Sequence, residues 1–231
     1  MRVMFIHGVE SGPEGPKVRM MTEQGLDVVA PNQHMSKRRL DRRNSVVRQV
    51  LRLGEFRFTV GLGLVGLGLI ALHPAGGLLV GAAGLTAALR GKRWVSQALA
   101  ASRRVCTAIA AEALAANEID VIVGSSWGAA IACELIDQGM WAGPTVLLAP
   151  ATRKVQCMID PTGWPTLRAA IQASPGPIHM FHDPADDVIP VDGSRDLVGG
   201  CATLTELETG GHLVLPFVED GRLVSLVRSL A

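Results

Sequence analysis

The sequence lacks any strong imbalance of charge: 22 lysines and arginines stand against 21 aspartates and glutamates, a formal net charge of +1. A chain so balanced has no global pull toward nucleic acid, and no nucleic-acid partner is expected. Cysteine is scarce: Cys106, Cys133, Cys157 and Cys201 are scattered and share no metal-ligand spacing. No metal site is expected from them. All four read as reduced thiols, which favours the cytoplasm. A secretory pattern is missing too. The apolar run Val3–Ile6 is stopped by His7-Gly8, too short for a signal core and with no small-residue cleavage site behind it. Acidic residues are absent between Glu55 and Glu112. That absence excludes a dinucleotide reading of Gly61-Leu62-Gly63-Leu64-Val65-Gly66, although the segment matches G-x-G-x-x-G letter for letter. The fingerprint needs a strand before it, a helix start after it and an acidic residue about 20 positions on. No cofactor is expected.

What is there begins with length. The 231 residues fit one domain, residues 1–231, with enough chain to bury a sizeable core. Short apolar runs bounded by glycine and proline read as strands at Val3–Ile6, Leu26–Ala30, Asp120–Val123, Thr145–Leu148, Pro177–Phe181 and Thr203–Leu207. Helical patterns fall at 36–53, 94–116, 128–138 and 217–229. Strands alternating with helices predict an α/β fold, a mainly parallel sheet of about six strands with helices on both faces.

The segment 37–57 holds eight basic residues against Asp41 and Glu55, net +6, which leaves −5 for the remainder. It reads as a solvated helix face or as a local patch for anionic lipid or nucleic acid. Directly after it, Thr59–Leu89 carries no charge with His73 neutral. The segment splits at His73-Pro74-Ala75-Gly76-Gly77 into two apolar halves, each short of the roughly 20 residues that span a bilayer. Arg52 and Arg57 flank one end and Arg90, Lys92 and Arg93 the other. One domain is built from sequence on both sides, so both ends lie on the same side of any membrane. An apolar helical hairpin insertion, 59–89, is therefore expected. It either dips into a membrane, leaving the protein cytoplasmic and peripheral, or packs as a lid or against a second copy.

The chemistry concentrates at Gly124-Ser125-Ser126-Trp127-Gly128, which fits G-x-S-x-G with Ser126 central. Placed between a strand and an Ala-rich helix, it predicts a sharp turn that presents Ser126 at a helix N-terminus. Side chains at Gly124 and Gly128 would clash in such a turn. A serine nucleophile needs a base, and the base needs an orienting carboxylate. Among the downstream histidines, His212 follows the last strand in Gly210-Gly211-His212. His179 falls inside a strand, and His182 ends it.

On three segments the sequence resembles the α/β-hydrolase superfamily over nearly its whole length. They are the first strand running into His7-Gly8, the Ser126 elbow with the following Leu147-Leu148-Ala149-Pro150, and Phe181-His182-Asp183-Pro184-Ala185-Asp186-Asp187-Val188-Ile189-Pro190. The last is similar to the family pattern H-G-x-x-D-x-x-V-P, with Asp183 where glycine is usual. The resemblance implies a triad of Ser126, Asp186 and His212, with Asp183 and Asp187 as rivals for the acid. It also implies an oxyanion hole from the backbone N–H groups of Val9 and Trp127, and a loop-positioning role for His7. The chain is similar to compact six-stranded esterases, and 59–89 has no counterpart in that pattern. The expected activity is cleavage of a small-molecule carboxylic ester or thioester. The competing expectation is an inactive hydrolase scaffold whose hairpin does the work. An amidase or peptidase would use the same three residues.

Overall fold

Alternation of side chains along the first strand already defines two cores. In β1 (Arg2–Ile6), Met4 and Ile6 face one side and Val3 and Phe5 the other, all buried. The structure is a computed structural model and describes residues 1–70, 73 and 75–230. After β1 come α1 (Pro16–Glu23), β2 (Asp27–Val29), and the two-residue strands β3 (Met35–Ser36) and β4 (Asn44–Ser45). Next are α2 (Val46–Arg52), α3 (Gly54–Leu69) and α4 (Ala75–Ala115). The second half runs β5 (Val121–Ser125), α5 (Trp127–Asp137), β6 (Thr145–Leu148), α6 (Thr152–Ile159), α7 (Trp164–Gln172) and β7 (Ile178–His182). It closes with α8 (Asp192–Arg195), β8 (Ala202–Glu206), α9 (Leu215–Glu219) and α10 (Arg222–Ser229).

Six strands form one sheet in the order β2-β1-β5-β6-β7-β8, and every pairing is parallel. The register sets Val3 beside Val121 and Val123 beside Val146, which line up one apolar face. That face is covered by Val18 and Met21 of α1 and by Phe217, Leu223 and Val227 of α9 and α10. The opposite face carries Met4, Ile122, Leu147 and Met180, packed under α4, α5, α6 and α7 through Cys106, Leu135, Val155 and Ile171. Each such side chain contributes about 1.5–3 kcal/mol by leaving water.

The helix expected over 36–53 forms only from Val46. Upstream, the Ser36 hydroxyl accepts from the N–H groups of Arg38 and Arg39, and the Asn44 N–H donates to the His34 carbonyl. These local polar bonds hold the chain in turns and the short β3–β4 pair instead. The terminal helix expected over 217–229 is broken at Gly221, which sits at φ 81°. Elements absent from the sequence reading include α1, which starts on Pro16, and the helices α6, α7 and α8.

The described residues of 59–89 lie in a helical hairpin that is longer than the charge-free segment. One arm is α3, and the other is the first half of α4, a single helix of 41 residues that also contains the separate helix expected over 94–116. Of the expected tip, Pro74 lies outside the described residues, and Gly76 and Gly77 belong to the first turn of α4. The arms touch most closely at Gly66 and Gly76: a Cβ on Gly66 would lie 2.8 Å from Leu79 Cβ, and one on Gly76 2.7 Å from the Gly66 carbonyl oxygen. A Cβ on Gly77 or Gly81 would meet nothing within 4 Å. The base is pinned by Phe56 edge-on to Trp94, centroids 5.4 Å apart, and by Glu55, which takes the Trp94 indole N–H and pairs with Arg90. Among the described residues no helix is long and apolar enough to cross a membrane.

Candidate active site

Parallel strands deliver their C-terminal ends to one edge of the sheet, where successive loops meet. The loops after β1, β5, β7 and β8 converge there. After β5 the chain turns so sharply that Ser126 sits at φ 55°, ψ −112°, a region costing a non-glycine residue about 1–3 kcal/mol. The turn is held by the Ser126 N–H, which donates to the Leu148 carbonyl at 2.9 Å. It also brings α5 hard against β1. A Cβ on Gly128 would lie 1.9 Å from the Ile6 carbonyl oxygen, and one on Gly124 would lie 2.7 Å from Ala129 Cα. Only glycine permits this approach at either position.

Beyond β8, Gly210 at φ 123° and Gly211 at φ 53° carry the loop back over the sheet edge. His212 Nε2 then lies 3.0 Å from Ser126 Oγ, and its Nδ1 lies 2.8 Å from Asp186 Oδ2. A carboxylate oxygen only accepts, so Nδ1 carries the ring proton and Nε2 is left to accept from the serine hydroxyl. Asp186 is buried. Burial alone would raise its carboxyl, but the Ile189 N–H, His212 and the Val188 N–H outweigh that and hold it below the usual carboxylate range. Both N–H groups bind Oδ1, at 2.9 and 2.8 Å, and leave Oδ2 for the histidine.

The structure thus brings Ser126, His212 and Asp186 into one hydrogen-bonded line, and neither rival aspartate joins it. Asp183 is buried, but it accepts from the Ala185 N–H through Oδ1 and from the Gly211 N–H through Oδ2, so it ties down the loop that carries His212. Asp187 is exposed. His182 is a second buried partner of Asp186. Its Nε2 faces Asp186 Oδ2 at 3.1 Å and the Ile189 carbonyl at 2.9 Å, both acceptors, so Nε2–H donates. Its Nδ1 accepts from the Ser194 hydroxyl at 2.7 Å. His179 is on β7 against Thr203, away from this line. The four-residue spacing between His182 and Asp186 was the available sequence signal for that contact.

His7 is fully buried, and its Nε2 accepts from the Gln33 N–H at 3.2 Å while Nδ1–H donates to the Gly8 carbonyl at 2.9 Å. Burial pulls its imidazole below the ordinary value, which keeps it neutral in that bridging tautomer. The loop it fixes carries Val9, which lines the same cavity as Ser126. Among the described residues, neither the Val9 nor the Trp127 N–H finds an acceptor, and both residues line the same cavity.

That cavity, about 440 Å³, is walled mainly by apolar side chains, including Val95 and Leu99 of α4, Val155 and Met158 of α6, and Leu213 and Leu215 beyond the histidine loop. Ser126 and His212 open into it. So does Lys17, a residue the sequence reading did not single out. It is 9% exposed, and its Nζ donates to Ser125 Oγ at 2.8 Å. Burial drags its ammonium down to about 8. The available signal was Pro16, a preferred first helical residue, which starts α1 and fixes which side of it Lys17 occupies. Among the described residues no group of three or more His, Cys, Asp or Glu side chains is arranged to hold a metal ion.

No family model matches the sequence, and no curated protein matches it. Solved structures do match in shape. A protein from Xanthomonas campestris pv. campestris described as a hydrolase of the α/β superfamily is 19% identical, with 99% of each chain covered and a TM-score of 0.52. A Thermus thermophilus protein is 15% identical over 99% of this chain and 88% of that one, with a TM-score of 0.58. The esterase domain of a Rhodothermus marinus protein is 11% identical over 99% and 86%, with a TM-score of 0.53. With the sheet order and the elbow, these likenesses define the class: the chain has the α/β-hydrolase fold.

Proposed function

We propose that the protein is a serine hydrolase that cleaves a carboxylic ester or thioester through an acyl-enzyme. The observation that carries this reading is the hydrogen-bonded line Ser126–His212–Asp186, with the serine at a strained elbow. Ser126 Oγ attacks the carbonyl carbon and passes its proton to His212 Nε2. Asp186 stabilises the resulting imidazolium. The oxyanion receives the N–H groups of Val9 and Trp127, each worth roughly 3–4 kcal/mol of barrier. His212 returns the proton to the leaving oxygen or sulfur, and water, activated by the same histidine, releases the acid. The esterase domain from Rhodothermus marinus shares the fold, and an ester is the substrate class taken from that likeness. The test is a fluorophosphonate probe together with p-nitrophenyl esters of graded chain length. Labelling at Ser126 and turnover are expected. A folded wild-type protein that neither labels nor turns over an ester leaves the scaffold reading in place.

The second part of the proposal concerns where the enzyme works. The hairpin is its attachment to an anionic membrane surface. Phe58, Leu64, Leu78 and Leu89 are 73, 64, 76 and 74% exposed, and Val60, Val65, Leu67 and Leu85 are exposed beside them. α3 packs chiefly on α4, with further contact to α2, which supports a projecting pair over a lid. Phe58, Val60, Leu64 and Leu67 occupy the sides of α3 away from the seam. A contact with a second copy needs one apolar face, whereas a helix apolar on its free sides suits lipid. Arg52, Arg57, Lys92 and Arg93 at the base supply the charge that meets anionic headgroups. Trp94 is 4% exposed and pins the base, so it is no interfacial anchor. Flotation with phosphatidylcholine vesicles, with and without phosphatidylglycerol, tests this. Wild type floats with the anionic vesicles and a Leu64→Glu, Leu85→Glu variant does not. Wild type remaining in the aqueous layer, or a dimer that the same variant breaks, overturns it.

A further inference from the structure

Lys17 is built into the pocket under unfavourable terms. It is nine-tenths buried, it stands in the first turn of α1, where the helix dipole opposes a cation, and no carboxylate pairs with it among the described residues. Its one acceptor is the neutral hydroxyl of Ser125, so two of its three N–H donors are unused. Leaving an ammonium buried and unpaired costs several kcal/mol, and its depressed affinity for a proton records the same penalty. Glu10 is the acidic side chain that lines the cavity, and it is engaged by the Ser36 hydroxyl and the Lys37 N–H, both at 2.7 Å. The unpaired cation lies in the same cavity as Ser126 and His212, bonded to the residue next to Ser126 in the chain.

We propose that Lys17 is the anion-recognising group of this pocket, so that the ester it accepts carries a carboxylate elsewhere in the molecule, paired with the Lys17 ammonium while the ester carbonyl lies on Ser126. A single buried point charge matches a monoanion. The apolar wall between takes the connecting carbon chain. The inference deepens the ester-hydrolase reading and rests on it.

The experiment measures binding in Ser126→Ala protein by calorimetry at pH 7, with monoethyl adipate and diethyl adipate as probes. The monoester is expected to bind at least tenfold more tightly, and Lys17→Met in the same background is expected to bring that preference close to unity. Replacing a buried charge by a methionine of similar length removes a desolvation cost, and thermal melts check that the variant is folded. Lys17→Gln serves if Lys17→Met does not fold, and Lys17→Arg is expected to keep a preference for the monoester. Equal binding of the two probes, a preference that survives Lys17→Met, or a preference lost instead in Lys37→Met at the cavity rim overturns the proposal. Because the measurement needs no turnover, anion preference without esterase activity in wild type would count against the hydrolase reading alone.

Discussion

At the scale of single residues, the candidate site divides into groups whose removal has different signatures. Ser126→Ala and His212→Ala are each expected to lower kcat by about 10⁴–10⁶-fold, and the double variant by little more, since the groups act as one unit. Asp186→Asn is expected to cost about 10⁴-fold by favouring the wrong tautomer of His212. Esterase assays on folded variants check this, and a larger loss in Asp183→Asn moves the acid there. Ser126 was readable because its flanking glycines are a steric requirement written into the sequence. For the acid the resemblance pointed to Asp186 but left two rivals, because three aspartates stand within five positions; in the fold Asp183 binds Gly211 and Asp187 is exposed. Lys17 makes a separate prediction. Its folded-state value of about 8 lies below the ordinary 10.5, so between those values the unfolded chain holds a proton the folded chain has released, and its contribution to stability rises with pH across that window. Urea unfolding of wild type minus Lys17→Met is expected to show a gain of up to about 3 kcal/mol from pH 8 to 10.5. The difference is the proper readout, because burial pushes the Cys106 and Cys133 thiols up to about 11 and 12, which lowers stability above pH 9 in both proteins. A flat difference refutes the buried-ammonium description.

At the scale of elements, the elbow and the sheet were legible because their patterns are local. The unbroken apolar runs Val3–Ile6 and Val121–Val123 reflect burial on both faces of a parallel sheet. Residues 36–45 were misread as helix because their charge pattern is compatible with one, and the deciding bonds, Ser36 to Arg38 and Arg39 and Asn44 to His34, are side-chain and loop contacts that no periodicity reveals. The junction of hairpin and helix was missed for a related reason. Arg90-Gly91-Lys92-Arg93 looks like a boundary by composition, yet it lies inside α4. Gly128→Ala tests the elbow as a unit: its methyl would enter the Ile6 carbonyl, so α5 must move off β1. A loss of about 3 kcal/mol or more and loss of probe labelling together are expected, by urea unfolding and fluorophosphonate labelling. An active, fully stable Gly128→Ala protein would show that the elbow is not as tight as described.

At the scale of the whole molecule, the same long helix supplies both the exposed apolar arm and one wall of the cavity, through Val95 and Leu99. Membrane attachment and substrate access are therefore expected to vary together. For an ester held in anionic vesicles, the Leu64→Glu, Leu85→Glu variant should turn over at least tenfold more slowly than wild type, while both hydrolyse a water-soluble ester equally. Equal rates on the vesicle-bound ester would separate the arm from the chemistry.

The unbroken course of α4 sets a distance. From Leu89, the last residue of the charge-free stretch, to Val95 on the cavity wall is six helical residues, about 9 Å. A helix does not stretch or fold between those points, so α4 works as a standoff of fixed length. On the proposed membrane attachment, that standoff would keep the sheet and its cavity at a set distance along the helix from the apolar arm.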